Sequence, residues 1–178
     1  RELKSFFNMK NDDWFVCFFA RDSLYDDLYR PSISESFKIR NANVETLTKS
    51  MEYITSKGGY AIRIGSKQKT ELITKGNNRI IDYSFYKNKN SKIDVLLMLF
   101  CEFCIGTGSG ILDLANLNNR PVGLINHYEY IVQQGQYTGS FIPKLFKRKK
   151  SDSHFTYNDY LKLVPLSKNI HKHRDRLN

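Results

Sequence analysis

The chain has 178 residues, 40% of them hydrophobic and 26% charged, with a formal net charge of +10. That is enough for one domain with a real core, and it excludes a disordered or fibrous polymer. No apolar run, Val95 to Cys101 included, exceeds seven residues. A membrane-spanning helix needs roughly 18, and no signal peptide is visible.

Charge is unevenly placed. Residues 1–143 carry 18 basic and 15 acidic side chains, whereas residues 144–178 carry 10 basic and 3 acidic. A basic tail can touch nucleic acid or anionic lipid, or can simply be a solvated terminus. The run Lys147-Arg148-Lys149-Lys150 has the same two readings. Cys17, Cys101 and Cys104 are the three cysteines. An odd, low count argues for a reducing compartment over a disulfide framework. Cys101 and Cys104 form a CxxC, but no second pair completes a zinc site, so packing is the better account. The first residue is Arg1 rather than a methionine, which reads as a piece of a longer protein.

Trp14 to Phe19 is a continuous apolar run and reads as a buried strand. Ala20 to Ala42 is polar, contains Pro31, and reads as a long loop of the kind that carries function. Asn43 suits an N-cap, and Val44, Leu47, Met51 and Ile54 then recur at helical spacing up to Gly58-Gly59. Tyr60 to Ile64 is a second strand and Arg79 to Tyr83 a short third. Ser91 caps a helix over about 92–102, apolar on nearly every side and so expected to be deeply buried. Phe103 to Gly106 is a fourth strand, Gly110 to Leu117 a short helix, and Val122 to Ile125 a fifth strand. After His127 the pattern breaks. Gly135 to Ser153 reads as loop, and Thr156 caps a last helix with Tyr157, Tyr160, Leu161 and Val164. Strands alternating with helices predict an α/β, Rossmann-like open parallel sheet with helices on both faces. The expected division is a domain over residues 1–143 and a basic C-terminal extension with a short helix over 144–178.

Ligands of such sheets bind beyond the carboxyl ends of the strands. The residues there are Arg21-Asp22-Ser23, Arg63 with Gly65-Ser66, Asp82-Tyr83, Thr107-Gly108-Ser109-Gly110, and Asn126-His127. Phe103 to Leu112 is the most telling stretch, an apolar strand running into a glycine-rich turn that opens a helix. Glycines admit close approach, and a helix start offers unpaired N–H groups, so the corner suits phosphate. It is GxGxG, neither a dinucleotide fingerprint nor a Walker A loop, and a merely tight turn is the competing reading. Arg21 and Arg63 suit the same anion, but either can instead pair with Asp22 or Asp82. Arg40 lies just before the first helix, as a second phosphate contact or a surface cap residue. Asp82 suits a ribose hydroxyl or a cap, and for Asp94 the helix dipole is explanation enough. His127, His154, His171 and His173 form no metal set, and no catalytic residue can be assigned.

In order along the chain, Phe18-Phe19-Ala20-Arg21-Asp22-Ser23, Arg40-Asn41-Ala42-Asn43, Tyr60-Ala61-Ile62-Arg63-Ile64-Gly65, Ile81-Asp82-Tyr83, Asp94-Val95, Ile105 to Gly110, and Phe141-Ile142-Pro143-Lys144 resemble the spaced motifs of a family of bacterial surface-polysaccharide glycosyltransferases. The resemblance covers about residues 14–164. It implies the C-terminal, donor-binding half of a GT-B fold, similar to fucosyltransferase-type folds in which an arginine after the first strand meets the donor β-phosphate. Arg21 holds that position. Asn43 stands where many members carry an aspartate. The resemblance implies that the Thr107–Gly110 loop binds the same pyrophosphate as Arg21; with the strand-end reading, the expected donor-phosphate contacts are Arg21, Arg40, Arg63, Thr107, Gly108, Ser109 and Gly110, and the expected nucleoside contacts Gly65, Asp82 and Tyr83. It further implies a nucleotide-sugar donor as substrate, with no cofactor and no metal. The expected partners are a glycan or lipid-linked acceptor and an upstream acceptor-binding domain. The expected place is the cytoplasm, with peripheral contact at the inner membrane face through the basic tail. The alternative is a non-catalytic nucleotide-binding or partner-docking domain.

Overall fold

The computed structural model describes residues 2–66, 68–127, 139–148 and 151–163. Six strands form one sheet: β1 Phe15–Phe19, β2 Tyr60–Arg63, β3 Ile80–Asp82, β4 Cys104–Gly106, β5 Val122–His127 and β6 Phe141–Pro143. Every pairing is parallel and the order is β3-β2-β1-β4-β5-β6. The strand order reverses at β1, so the crevice between the carboxyl ends of β1 and β4 is the topological switch point of an open α/β sheet. The expected α/β Rossmann-like class is the observed one.

The apolar run of β1 is buried on both sides because it divides between two cores. Phe15, Cys17 and Phe19 enter one core with Ile62, Leu97 and Leu112. Val16 and Phe18 enter the other with Val44, Leu47, Met51 and Ile54. The first core is covered by α1 (Glu2–Phe6), α5 (Ser91–Phe100) and α6 (Gly110–Leu117), the second by α4 (Thr48–Ser56) and the short 3-10 turn Val44–Leu47 before it. Asn43 caps that turn through a bond from Glu45 N at 3.0 Å, and Gly58, with φ +88°, ends α4.

The structure corrects four local expectations. Residues 20–42 are not a loop but a helical hairpin, α2 (Leu24–Tyr29) and α3 (Pro31–Phe37), followed by a 3-10 turn, Lys38–Arg40. The hairpin buries polar side chains, Ser23, Asp26 and Ser34, and exposes Tyr25, Leu28 and Tyr29, so its helical periodicity is inverted and does not look amphipathic. Helix α5 is only partly buried: Ile93, Leu97 and Met98 are inside, while Val95 and Phe100 are 41% and 57% exposed. Its cap is Asn90, not Ser91, through Ile93 N at 3.0 Å. Strand β6 arises inside the segment read as loop. It is three residues long and lies at the sheet edge, where a proline is tolerated.

Beyond β6, Lys147 and His154 form an isolated antiparallel bridge, and Phe146, Phe155 and Tyr160 gather beside α7 (Tyr157–Leu163). The expectations for Gly135, Lys149, Lys150, Val164, His171 and His173 fall outside the described residues. Among the described residues, no helix is long and apolar enough to cross a membrane.

Candidate anion-binding site

At the switch point the ends of β1 and β4 are stapled together. Thr107 Oγ1 accepts from Arg21 N at 2.9 Å, and Thr107 N donates to Phe19 O at 3.1 Å. Gly106 allows this approach: a Cβ there would lie 2.5 Å from Phe19 O. The staple sets the first residues past β1 beside the glycine-rich turn and the start of α6.

A cleft of about 350 Å³ opens in front of this corner. Four cations line it, Arg21, Arg30, Arg40 and Lys89, with two carboxylates, Asp22 and Asp94. Ser109, Gly110 and Ile111 present the first turn of α6 to it, and Gly65, Ser66 and Gln68 also line it. Ser109 is the N-cap residue of α6 in extended conformation, and its hydroxyl makes no capping bond. The helix start therefore turns N–H groups and a positive dipole end toward a cleft that already carries an excess of cations.

The arginines are arranged around one ring. The guanidinium carbons of Arg21, Arg30 and Arg40 lie 5.7, 5.5 and 5.5 Å from the Phe37 ring centroid. Arg40 Nη2 also donates to Gly108 O at 2.8 Å, tying the hairpin to the glycine turn. The last turn before Asn41 is fixed from below by Lys144, whose Nζ donates to Ile39 O at 2.6 Å and Asn41 O at 2.9 Å. Burial holds the Lys144 ammonium below its ordinary pKa. Lys89 is likewise lowered, by burial first, against the opposing pull of Asp94 at 3.4 Å.

The sequence-predicted residues divide into two groups. Arg21, Arg40, Gly65, Ser109 and Gly110 line the cleft. Arg63, Asp82, Tyr83 and Thr107 do not: all four are buried behind it. Arg63 is 1% exposed and donates to Asp82 Oδ2 at 2.9 Å, Thr70 O at 2.6 Å and Gln68 Oε1 at 2.9 Å. Asp82 Oδ2 also accepts from Leu72 N at 2.7 Å, and its Oδ1 accepts from the Ser84 hydroxyl. Tyr83 is packed among Phe6 and Phe7, with its hydroxyl on Asn90 at 3.1 Å. Gly108 stands one layer back, its carbonyl taken by Arg40. Gly65 has φ +149°, a backbone conformation that favours glycine, and its carbonyl accepts from Lys89 Nζ.

Sequence reasoning missed Arg30, Lys89 and Asp26. Arg30 and Asp26 were hidden inside the segment read as loop. The spacing of Asp26 and Arg30, four apart before Pro31, is the ion-pair signal that could have found them. Among the described residues no group of three or more histidine, cysteine or acidic side chains gathers as a metal would require.

No protein-family model and no curated protein matches the chain by sequence. Its fold is similar to that of a solved structure, the ADP-heptose LPS heptosyltransferase II of E. coli, with a TM-score of 0.59 at 12% identity. The match covers 96% of this chain and 51% of that one, so the chain spans about half the length of the heptosyltransferase it resembles in fold.

Proposed function

We propose that this chain is the donor-binding half of a GT-B glycosyltransferase of surface-glycan synthesis, and that its cleft takes the diphosphate of a nucleotide sugar. The observation that carries the reading is the cleft at the switch point. Arg21, Arg30 and Arg40 line it together with the start of α6, and it lies in a fold shared with half of a heptosyltransferase. In glycosyl transfer from such a donor, negative charge develops on the leaving diphosphate. Fixed guanidiniums and helix N–H groups stabilise that charge in place. The seven motifs of the family resemblance support the same reading.

The roles expected of the buried residues change accordingly. Thr107 sets the spacing between Arg21 and the glycine turn, and Arg63 with Asp82 shapes the wall that presents Gln68. An acceptor-binding half supplies the acceptor and the general base, because transfer needs a nucleophile held in line with the donor carbon. Contact of the basic tail with an anionic membrane surface, on the cytoplasmic side, belongs to the same proposal.

The test is heat protection by nucleoside diphosphates and their sugars, ADP-linked, GDP-linked and UDP-linked, against free sugar. A ligand of the native state raises its melting temperature by mass action. Diphosphate-bearing ligands are expected to protect and free sugar not to. Joined to an acceptor-binding half, the chain is expected to consume donor with lipid-linked acceptors. Donor binding with no transfer across a broad acceptor panel would favour the non-catalytic alternative.

A further inference from the structure

We infer that Asp26 is a positioning residue of this site, holding Arg21 and Arg30 in one fixed arrangement for a diphosphate; this rests on the diphosphate reading of the cleft. Asp26 is 1% exposed, yet it lies in the first turn of a surface hairpin. Its two carboxylate oxygens are divided between the two arginines. Oδ2 accepts from Arg21 Nη2, and Oδ1 accepts from Arg30 Nη2 at 2.5 Å.

A buried carboxylate is costly unless paired, and one partner would satisfy that need. Two cations share this one, so the cluster keeps a surplus positive charge on the side that faces the cleft. Arg30 is the member that most needs holding. Its side chain is 43% exposed, and a free arginine there would sample many rotamers. Asp26 and the rings of Tyr25 and Phe37, at 5.4 and 5.5 Å, limit it. Arg21 is the more enclosed of the two, its side chain 11% exposed and its Nε buried. An anion entering the cleft then meets guanidiniums whose ordering is already done, which is how preorganisation raises affinity.

The proposal makes an expectation opposite in sign to simple charge counting. Removing a negative charge beside an anion site tightens anion binding if only the field matters. If Asp26 acts by positioning, Asp26→Asn weakens it. Calorimetric titration of the chain with inorganic pyrophosphate decides. Asp26→Asn is expected to bind tenfold or more weakly, and binding equal to or tighter than wild type would overturn the proposal. Should circular dichroism show that Asp26→Asn does not fold, Arg30→Lys takes its place in the titration. Lysine keeps the charge and loses the planar fork that meets Asp26. It is expected to lose nearly as much affinity as Arg30→Gln, and a wild-type affinity in Arg30→Lys would overturn the positioning role. A wild-type chain that binds no pyrophosphate would overturn the diphosphate reading itself. That is a different result from a wild type that binds while Asp26→Asn binds equally well.

Discussion

Arg63 and the trio of Arg21, Arg30 and Arg40 sit at the same edge of the same sheet, and the fold uses them in opposite ways. Arg63 is the last residue of β2, and register places it directly beside Asp82 of β3. Its charge is taken up by a carboxylate, a carbonyl and an amide oxygen. Arg21 lies two residues past the end of β1, where no neighbouring strand supplies a carboxylate, and the chain turns out over the cleft. The three cleft arginines share one aromatic ring, and two of them share one buried acid. An arginine inside the ladder shapes the wall, and one just beyond it lines the cleft while sharing its carboxylate with a second arginine.

The comparison breaks first on stability. Asp82→Ala would leave the Arg63 guanidinium buried without its carboxylate. Loss of one partner of a buried pair costs about 3–5 kcal/mol. Urea denaturation should show that loss, and a cost near zero would mean that Arg63 is not held as the structure shows. Arg40→Ala should cost far less stability, because the residue lies on the cleft.

The staple between the two regions comes next. Gly106→Ala would set a Cβ 2.5 Å from Phe19 O and 2.9 Å from Phe19 Cβ. Overpacking of this kind costs about 1–3 kcal/mol. It should also weaken pyrophosphate binding by moving Arg21 away from the glycine turn. A variant with wild-type stability and affinity would show that the close approach is dispensable.

On the cleft side, Arg40→Ala is expected to lower pyrophosphate affinity about tenfold or more, in line with a lost charge-assisted contact of about 1.5–3 kcal/mol. Calorimetry checks it. A melting temperature that falls as far as in Asp82→Ala, with affinity intact, would reverse the assignment of the two regions.

The smallest expected effect concerns how the hairpin is pinned. Asp27 accepts from Lys69 Nζ at 2.8 Å and from the hydroxyls of Ser23 and Ser34, which hold its carboxyl well below the ordinary 3.8. A carboxylate lowered in the folded state stabilises above its unfolded pKa, and that contribution is lost as pH falls through the folded value. Amide exchange in residues 24–37, corrected for intrinsic rates, should therefore rise below about pH 4. Asp27→Asn should lessen that pH dependence, leaving the ion pairs of Asp26 and Glu35 as the remaining acid-sensitive contacts of the hairpin. A hairpin whose protection is unchanged on acidification would show that the Lys69 contact does not pin it.

Much of this architecture was legible because it is local. The double-sided apolar run at β1, the helical spacing before Gly58, the glycine turn and the span of α6 are all written in short stretches whose periodicity or turn chemistry has one good solution. The edge of the sheet where a ligand would bind follows from the same alternation of strands and helices. Three things were decided only by tertiary structure. Arg63 and Arg21 look alike in sequence, and only the β2–β3 register separates them. Asp26 and Arg30 belong to a hairpin that turns its polar side inward, so hydrophobic periodicity could not reveal it. Strand β6 is three residues long and owes its place to pairing with β5 across a distant stretch of chain. Local patterns report what a segment buries against water. Which polar group meets which, across 19 residues for the Arg63–Asp82 ion pair or 86 for the bond from Arg21 N to the Thr107 hydroxyl, is settled only when the strands come into register.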